Sequence, residues 1–466
     1  MIQSCIIIVP HPDDEINIGG GIIEQLVDCS ISVSVVFTTN GDNDPTVADR
    51  RIKEAQRARN ILGYRDIIIL GYADGYVGKH LYEAANDEVC WSVAGHNETY
   101  NLGGLKTYHY NKYSSQSPYT RSAYKNDLKD LLLDYQADLV ICVDNDKHPD
   151  HRCASLLFDE VIGELIKQTQ YRPIILKKFA YVGVFKGLDD FFKQPLQETL
   201  PSYESKISDD LILPYNIQDK ISFQNTDANI SGLFWNSPIF RSLLAHKSQF
   251  AVTHFSQICN SDVCFWHRRT DNFILQAEIT VSSGESHYIN DFKIVDTDSI
   301  LIQTPTMEVS ETKAWIPDEC DDSKHVMVVL DSPHDVGQII LYQTPKSRFE
   351  RLIIEFDNGF HREFDVNDSR KLKVVFEMQR EVTQMDLYFK SDGHLAITEI
   401  ELYNGMTDFP WDLLPLRKYK PDNNKYRGSV VLFCSEVIFK IMCFVINRLM
   451  IPIKRRNKQL WRKFQL

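Results

Sequence analysis

Four short apolar runs near the start of the chain each break off at a polar, acidic cluster. That repeated junction constrains the fold more than any other feature. "CIIIVP" runs into "HPDDE", "ISVSVVFTT" into "NGDND", "DIIILG" into "GYADG", and "ADLVICV" into "DNDKHPDH". Helical patterns lie between them: "GGGIIEQLVDC", "VADRRIKEAQRARNILG" closed by Gly63, "SAYKNDLKDLLLDYQ" and "HRCASLLFDEVIGELIKQ". Nearly continuous apolar strands separated by helices predict a mostly parallel α/β sheet covered on both faces. In open sheets of this kind ligands bind beyond the carboxyl ends of the strands. Four clusters at four such ends therefore describe one site.

A chain of 466 residues is too long for one ordinary core and predicts two or three domains. The net charge of −13 is unevenly spread. Residues 425–466 hold ten Lys/Arg and one acid, leaving the rest with 41 basic and 63 acidic residues, a charge of −22. Phosphate binding needs a basic surface, so an acidic body argues against nucleic acid as a partner. The ten cysteines are scattered singly with no CxxC pair, which predicts reduced, mostly buried thiols rather than a disulfide framework. A strand beginning almost at Met1, with no basic stretch or cleavage site before it, predicts a cytoplasmic chain without a secretory signal.

From about residue 276 the pattern changes to short strands with turn signals between them. These are "VMVVL", "GQIILYQ", "RLIIEF", "LKVVFEM", "QMDLYFK" and "AITEIELY". In "MDLYFK", Met385, Leu387 and Phe389 alternate with Asp386, Tyr388 and Lys390, the pattern of a half-exposed antiparallel strand. The expected organisation is an α/β domain over 1–275, an antiparallel β-sandwich over 276–406, a polar linker over 407–428 and a tail over 429–466.

The chemistry concentrates at two loops. His11 and Asp14 lie three apart after the first strand, and His148 and His151 lie three apart after the fourth. One histidine and one carboxylate from the first loop, with one histidine from the second, make three N/O ligands and leave a position for water, as in catalytic zinc sites. A dication also offsets the crowded acids, and metal-bound water can reach a pKa near 7. The competing reading is that Asp13 or Asp14 caps the following helix. Spacing alone leaves open which of Asp13 and Asp14 binds metal and which acts as base.

"IIIVPHPDDE" followed by a helix, with "HPDH" after the fourth strand, resembles the LmbE/PIG-L family of zinc-dependent N-deacetylases. "RRIKEAQRARNILG", "LGYADG", "LLAHKSQF" and "CFWHRRTD" extend the resemblance over about residues 1–275, with Pro10 where the family usually has Ala. The resemblance implies a Rossmann-like domain in which His11, Asp14 and His151 bind one Zn2+, another divalent metal being an alternative. It implies Asp13 as general base and His148 as oxyanion stabiliser or proton donor to the leaving amine. Arg51 and Asp74 are candidate substrate-binding residues, with a solvated helix face and a turn as their plainer readings. Asp146 and His246 are candidates to orient the site behind the ligands. The tyrosines of 100–124 either line a sugar subsite or pack the loop. The C-terminal strands resemble discoidin-like, galactose-binding-like domains, which implies a glycan ligand or an assembly role.

Val430 to Ile453 is apolar, and "KRRNKQLWRKFQL" follows. Glu436, Lys440 and Asn447 fall within about 40° of one another on a helical wheel, a stripe suited to an amphipathic helix lying on an anionic membrane surface. The alternatives are packing on the protein's own body and a spanning helix. Taken together, these features lead us to expect a peripheral enzyme on the cytoplasmic face. It would remove the N-acetyl group of an N-acetylglucosamine-type sugar on a glycolipid or cell-surface polysaccharide precursor. A carbohydrate-binding scaffold with an inactive hydrolase domain, and a zinc hydrolase of an O-acetyl ester or non-sugar amide, stand as alternatives.

Overall fold

The computed structural model describes residues 1–146, 148–180, 185–186, 191–201, 219–300, 309–366, 370–405, 408–421 and 427–451. Its N-terminal part opens with β1 (Ser4–Val9), α1 (Asp14–Asp28), β2 (Ser32–Thr39), α2 (Pro45–Leu62) and β3 (Asp66–Tyr72). After α3 (Tyr108–Tyr113) come α4 (Arg121–Tyr135), β4 (Leu139–Val143), α5 (Pro149–Gln168) and β5 (Ile174–Lys178). A two-residue pair, β6 (Phe185–Lys186) and β7 (Leu200–Pro201), precedes β8 (Ile221–Gln224), α6 (Asp227–Ile230), α7 (Pro238–Ala245), α8 (Phe255–Ile258) and β9 (Asp262–Arg268).

Seven strands form one sheet in the order β3-β2-β1-β4-β5-β9-β8. The first five run parallel, and β9 and β8 are added antiparallel. The strands β1, β2 and β4 are buried almost throughout, which explains their unbroken apolar sequence. Connections from β1 lead outward to β2 and β3, and the chain then crosses back to place β4 on the other side of β1. That reversal is the point where open α/β sheets bind ligands. It puts the loop after β1 directly beside the loop after β4. Helix α2 ends at Gly63, whose φ of 80° is the left-handed conformation of a C-terminal cap. Gly21 lets α1 lie close on β9, since a Cβ there would run into Val263 Cγ2.

The second sheet contains β10 (Glu278–Val281), β11 (His325–Gln343), β12 (Arg351–Phe356), β13 (His361–Asp365), β14 (Lys371–Lys390) and β15 (Ile397–Tyr403). Here the structure departs from the expected short strands. "VMVVL" and "GQIILYQ" are one strand, β11, and "LKVVFEM" and "QMDLYFK" are one strand, β14. The chain stays extended through "DSPHD" between the first two and shifts register between Val329 and Gln338. The first half of β11 pairs with β10 and the second with β15, and both halves pair with β14. Inward residues of both halves share one core, Val328 and Met385 with Ile339 and Val374 among them. Met385, Leu387 and Phe389 are buried while Lys390 is exposed, as the alternation requires.

A small cluster joins the two sheets, with Cys264 and Trp266 of β9 against Ile340, Tyr342 and Tyr403. The stretch expected as a linker is tied down in part: Gln224 donates its N–H to Arg417 O at 2.7 Å, and Tyr419 donates to Ser222 O at 2.9 Å. None of the ten cysteines forms a disulfide. The tail begins with α9 (Ser429–Val445), whose Leu432, Ser435 and Phe439 are buried on the body. Phe439 packs against Phe192, Phe234 and Phe255. The opposite face is exposed and apolar, Phe433 to 67% and Phe444 to 63%. Ser429–Arg448 is long and apolar enough to cross a membrane, by length and composition alone. The basic stretch from 452 onward lies outside the described residues.

Candidate active site

The sequence expectation placed the motif residues in loops, whereas the structure puts them at helix starts. Asp14 is the first residue of α1, His148 caps α5, and His151 lies in the first turn of α5. Helical geometry therefore fixes Asp14 and His151, and the β1–β4 neighbourhood brings their two helices together. Asp13 bridges strand and helix with φ of 121°, a conformation L-residues rarely adopt. Such strain costs on the order of 1–3 kcal/mol and is concentrated at functional positions.

Two of the expected ligands, His11 and His151, converge on one oxygen of the third, Asp14. Asp14 Oδ2 lies 3.0 Å from His11 Nδ1 and 3.1 Å from His151 Nε2. His11, His148 and His151 also have their donor atoms within 4.8 Å of one another, as do His11, Asp74 and Asp150. The two sets share His11, so they are two sides of one cluster. Asp146 fixes the orientation of His151 through a 2.8 Å contact with its Nδ1 and also accepts the His148 N–H. A histidine that donates through Nδ1 presents the lone pair of Nε2, the arrangement a metal ligand needs.

The surroundings are strongly acidic. Asp14, Asp74, Asp146 and Asp150 are all buried. Burial acts to lower the His151 pKa, but Asp146 and Asp14 outweigh it and push it up to about 10. Burial, opposed by Arg51, pushes Asp13 up to about 6. Burial and the neighbouring His11 and His151 hold His148 down to about 4. Asp14 Oδ1 is buried without a hydrogen-bond partner among the described residues. A buried carboxylate oxygen left unpaired is costly. Two imidazole nitrogens gathered on one oxygen of a buried carboxylate, with its other oxygen unspent, fit a divalent cation held by His11, Asp14 and His151.

The remaining expected residues are placed as follows. Arg51 is buried in the site rather than solvated. It donates to Asp74 Oδ2 at 3.0 Å, to Gly41 O at 3.2 Å and to Pro12 O at 3.2 Å, and lies 3.5 Å from Asp13 Oδ1. Asp74 stands 3.4 Å from His11 Nε2 and so faces the cluster rather than closing a turn. His246 contacts Glu15 at 2.9 Å, and Glu15 accepts the Asp13 N–H at 2.8 Å, so it braces the Asp13 turn from behind. Of the tyrosines in 100–124, Tyr108, Tyr119 and Tyr124 are buried packing residues. Tyr100 donates to Asp42, which in turn accepts the Asp74 N–H.

Besides Glu15, sequence reasoning missed two members. Asp150 lies 3.3 Å from His11 Nε2 and 3.2 Å from His80 Nε2. It stands inside "HPDH", and that position was the available signal. His80 is a single histidine in a glycine-containing loop and offers no pattern. Its Nδ1 accepts the Tyr82 N–H, which leaves the proton on Nε2 to donate to Asp150.

Residues 6–162 match the family model described as PIG-L: GlcNAc-PI de-N-acetylase. No curated protein matches the chain. Among solved structures, N,N'-diacetylchitobiose deacetylase from Pyrococcus horikoshii is 17% identical, with 58% of this chain and 85% of that chain covered and a TM-score of 0.33. A conserved protein from Thermus thermophilus is 16% identical, over 54% and 81%, with a TM-score of 0.30. The family 32 carbohydrate-binding module of C. perfringens NanJ, in complex with galactose, is 14% identical, over 27% and 92%, with a TM-score of 0.22. These likenesses are too distant to bear on activity. The family match covers the strands and helices that carry every proposed metal ligand, and it spans about a third of the chain.

Proposed function

We propose that the chain is a metal-dependent deacetylase that removes the N-acetyl group from an N-acetylglucosamine-type sugar, with zinc as the metal. The observation that carries this reading is the convergence of His11, Asp14 and His151 beside a strained Asp13 within the residues that match the PIG-L family model. When bound, the dication supplies a Lewis acid for the acyl carbonyl and an acidified water. Asp13, held by Arg51 and by its bond to Glu15, takes the proton from the attacking water. His148 Nδ1 accepts the Asp150 N–H at 3.3 Å, so the neutral ring carries its proton on Nε2. That N–H donates to the developing oxyanion. Asp13, once protonated, returns the proton to the leaving amine. Arg51 and Asp74 form the wall that meets sugar hydroxyls.

A glycolipid or cell-surface precursor is the proposed substrate context, supported by the exposed apolar face of α9. Helix α9 is partly seated on the body, which favours a helix lying on the bilayer over one spanning it. Acetate release should be measured on N-acetylglucosaminyl glycolipid, soluble N-acetylated chitooligosaccharide, an O-acetyl sugar and a non-sugar acetamide. Activity on the N-acetyl sugars alone, lost in Asp13→Asn, supports the proposal; turnover confined to the ester or the simple amide overturns it. Co-sedimentation with anionic vesicles should be lost when the chain is ended at Gly428. Equal binding of both forms would remove α9 from the membrane reading.

A further inference from the structure

The seam between the two sheets holds a cleft that the catalytic reading does not use. Ile339 and Leu341 of β11 point into the sandwich core, so Gln338, Ile340 and Tyr342 face the other way. On that outward face Ile340 is in register with Glu401 of β15 on one side and Lys373 of β14 on the other, and Tyr342 with Lys371. Strand β9 covers the β15 side through Trp266 and Arg268, while Lys373 and Val375 on the β14 side stay exposed. The resulting cleft encloses about 180 Å³, with His267 and Arg269 on one wall and Tyr342, Lys371 and Lys373 on the other.

Its charge runs against that of the protein. Four fixed cations, Arg268, Arg269, Lys371 and Lys373, border the cleft against two carboxylates, Asp219 and Glu401. The body outside residues 425–466 carries −22. Glu401 is engaged by Arg268 at 3.5 Å and by the Tyr342 hydroxyl at 3.1 Å, and Asp219 by Lys371 at 2.9 Å. Arg269 is held in place, its guanidinium 3.6 Å from the Tyr403 ring centre and forked onto Asp271. Lys373 makes no ion pair among the described residues. The His267 ring packs edge-on against Phe409 at 5.0 Å and makes no hydrogen bond among them. Burial and then the Arg269 charge hold His267 down to about 4, so it offers a neutral donor and acceptor. Lysines on an open strand edge also discourage edge pairing, but edge protection does not require that they meet Arg269 and His267 from another sheet.

We propose that this cleft binds a monosaccharide-sized anion, a sugar carboxylate or sugar phosphate. Lys371, Lys373 and Arg269 provide the positive field, and His267 and Gln338 meet the hydroxyls. The site is separate from the proposed catalytic cluster and its existence does not depend on deacetylation. Titration calorimetry of the full chain with glucuronate, glucose 6-phosphate, glucose and inorganic phosphate tests it. Both charged sugars should bind and glucose should not, with affinity falling as salt is added. Lys371→Ala/Lys373→Ala should weaken binding by about tenfold or more. Lys371→Arg/Lys373→Arg should retain binding, which separates charge loss from misfolding, and Asp13→Asn should bind like the parent. Absence of heat with both charged sugars, undiminished binding by Lys371→Ala/Lys373→Ala, or loss of binding in Asp13→Asn would overturn the proposal. Inorganic phosphate binding as tightly as glucose 6-phosphate would overturn its saccharide part.

Discussion

At the scale of single residues, the informative contrast is between Asp13 and Asp14. They are neighbours of the same type, yet Asp14 is locked by helix geometry and Asp13 sits on a backbone at φ of 121°. If that strain serves to aim a base, function and stability separate there. Asp13→Asn should lower kcat by about 10²–10⁴-fold with little change in Tm. Asp13→Gly should abolish turnover and leave Tm equal or higher, because glycine accepts that φ freely. A Tm that falls in Asp13→Gly would show the turn to be a structural necessity. The ligand types were legible in the sequence because metal chemistry restricts them to His and carboxylate at short spacing. His80 and Glu15 were not, because they act through a folded-state neighbour, Asp150 in one case and His246 in the other.

At the scale of elements, the burial of α1 has a measurable consequence. Burial, partly opposed by a hydrogen bond from Asn229, raises Glu24 from its ordinary value to about 7. The folded state therefore holds a proton on Glu24 that the unfolded state has lost between about pH 4.5 and 7. Its contribution to stability is full below that window and is lost as pH rises through it. Glu24→Gln should accordingly raise Tm at pH 8 and leave it unchanged at pH 4.5, read by thermal melts of both proteins; no gain at pH 8 would contradict this. The parallel strands and their helices were legible because two-sided burial demands unbroken apolar runs. The merging of four expected strands into β11 and β14 was not. A polar stretch between two apolar runs carries no local sign that a partner strand of equal length will hold it extended through a register shift.

At the scale of the whole molecule, the chain combines an α/β sheet region that matches the PIG-L family model over residues 6–162, a second sheet packed against β9, and a helix with one face seated and one exposed. The change from α/β sheet to antiparallel sheet to a C-terminal helix was legible in the sequence. The seating of α9 and the cleft at the seam were hidden, because each depends on contacts between residues far apart in the chain, such as Phe439 with Phe192 and Lys371 with Asp219. The central claim is that His11, Asp14 and His151 hold a metal on which sugar N-deacetylation depends. It is tested most directly by acetate release from an N-acetylglucosaminyl substrate, using chelated protein titrated with zinc. The expected result is no turnover after chelation and full recovery near one equivalent, absent in His151→Ala. Undiminished turnover by the chelated protein would contradict the account.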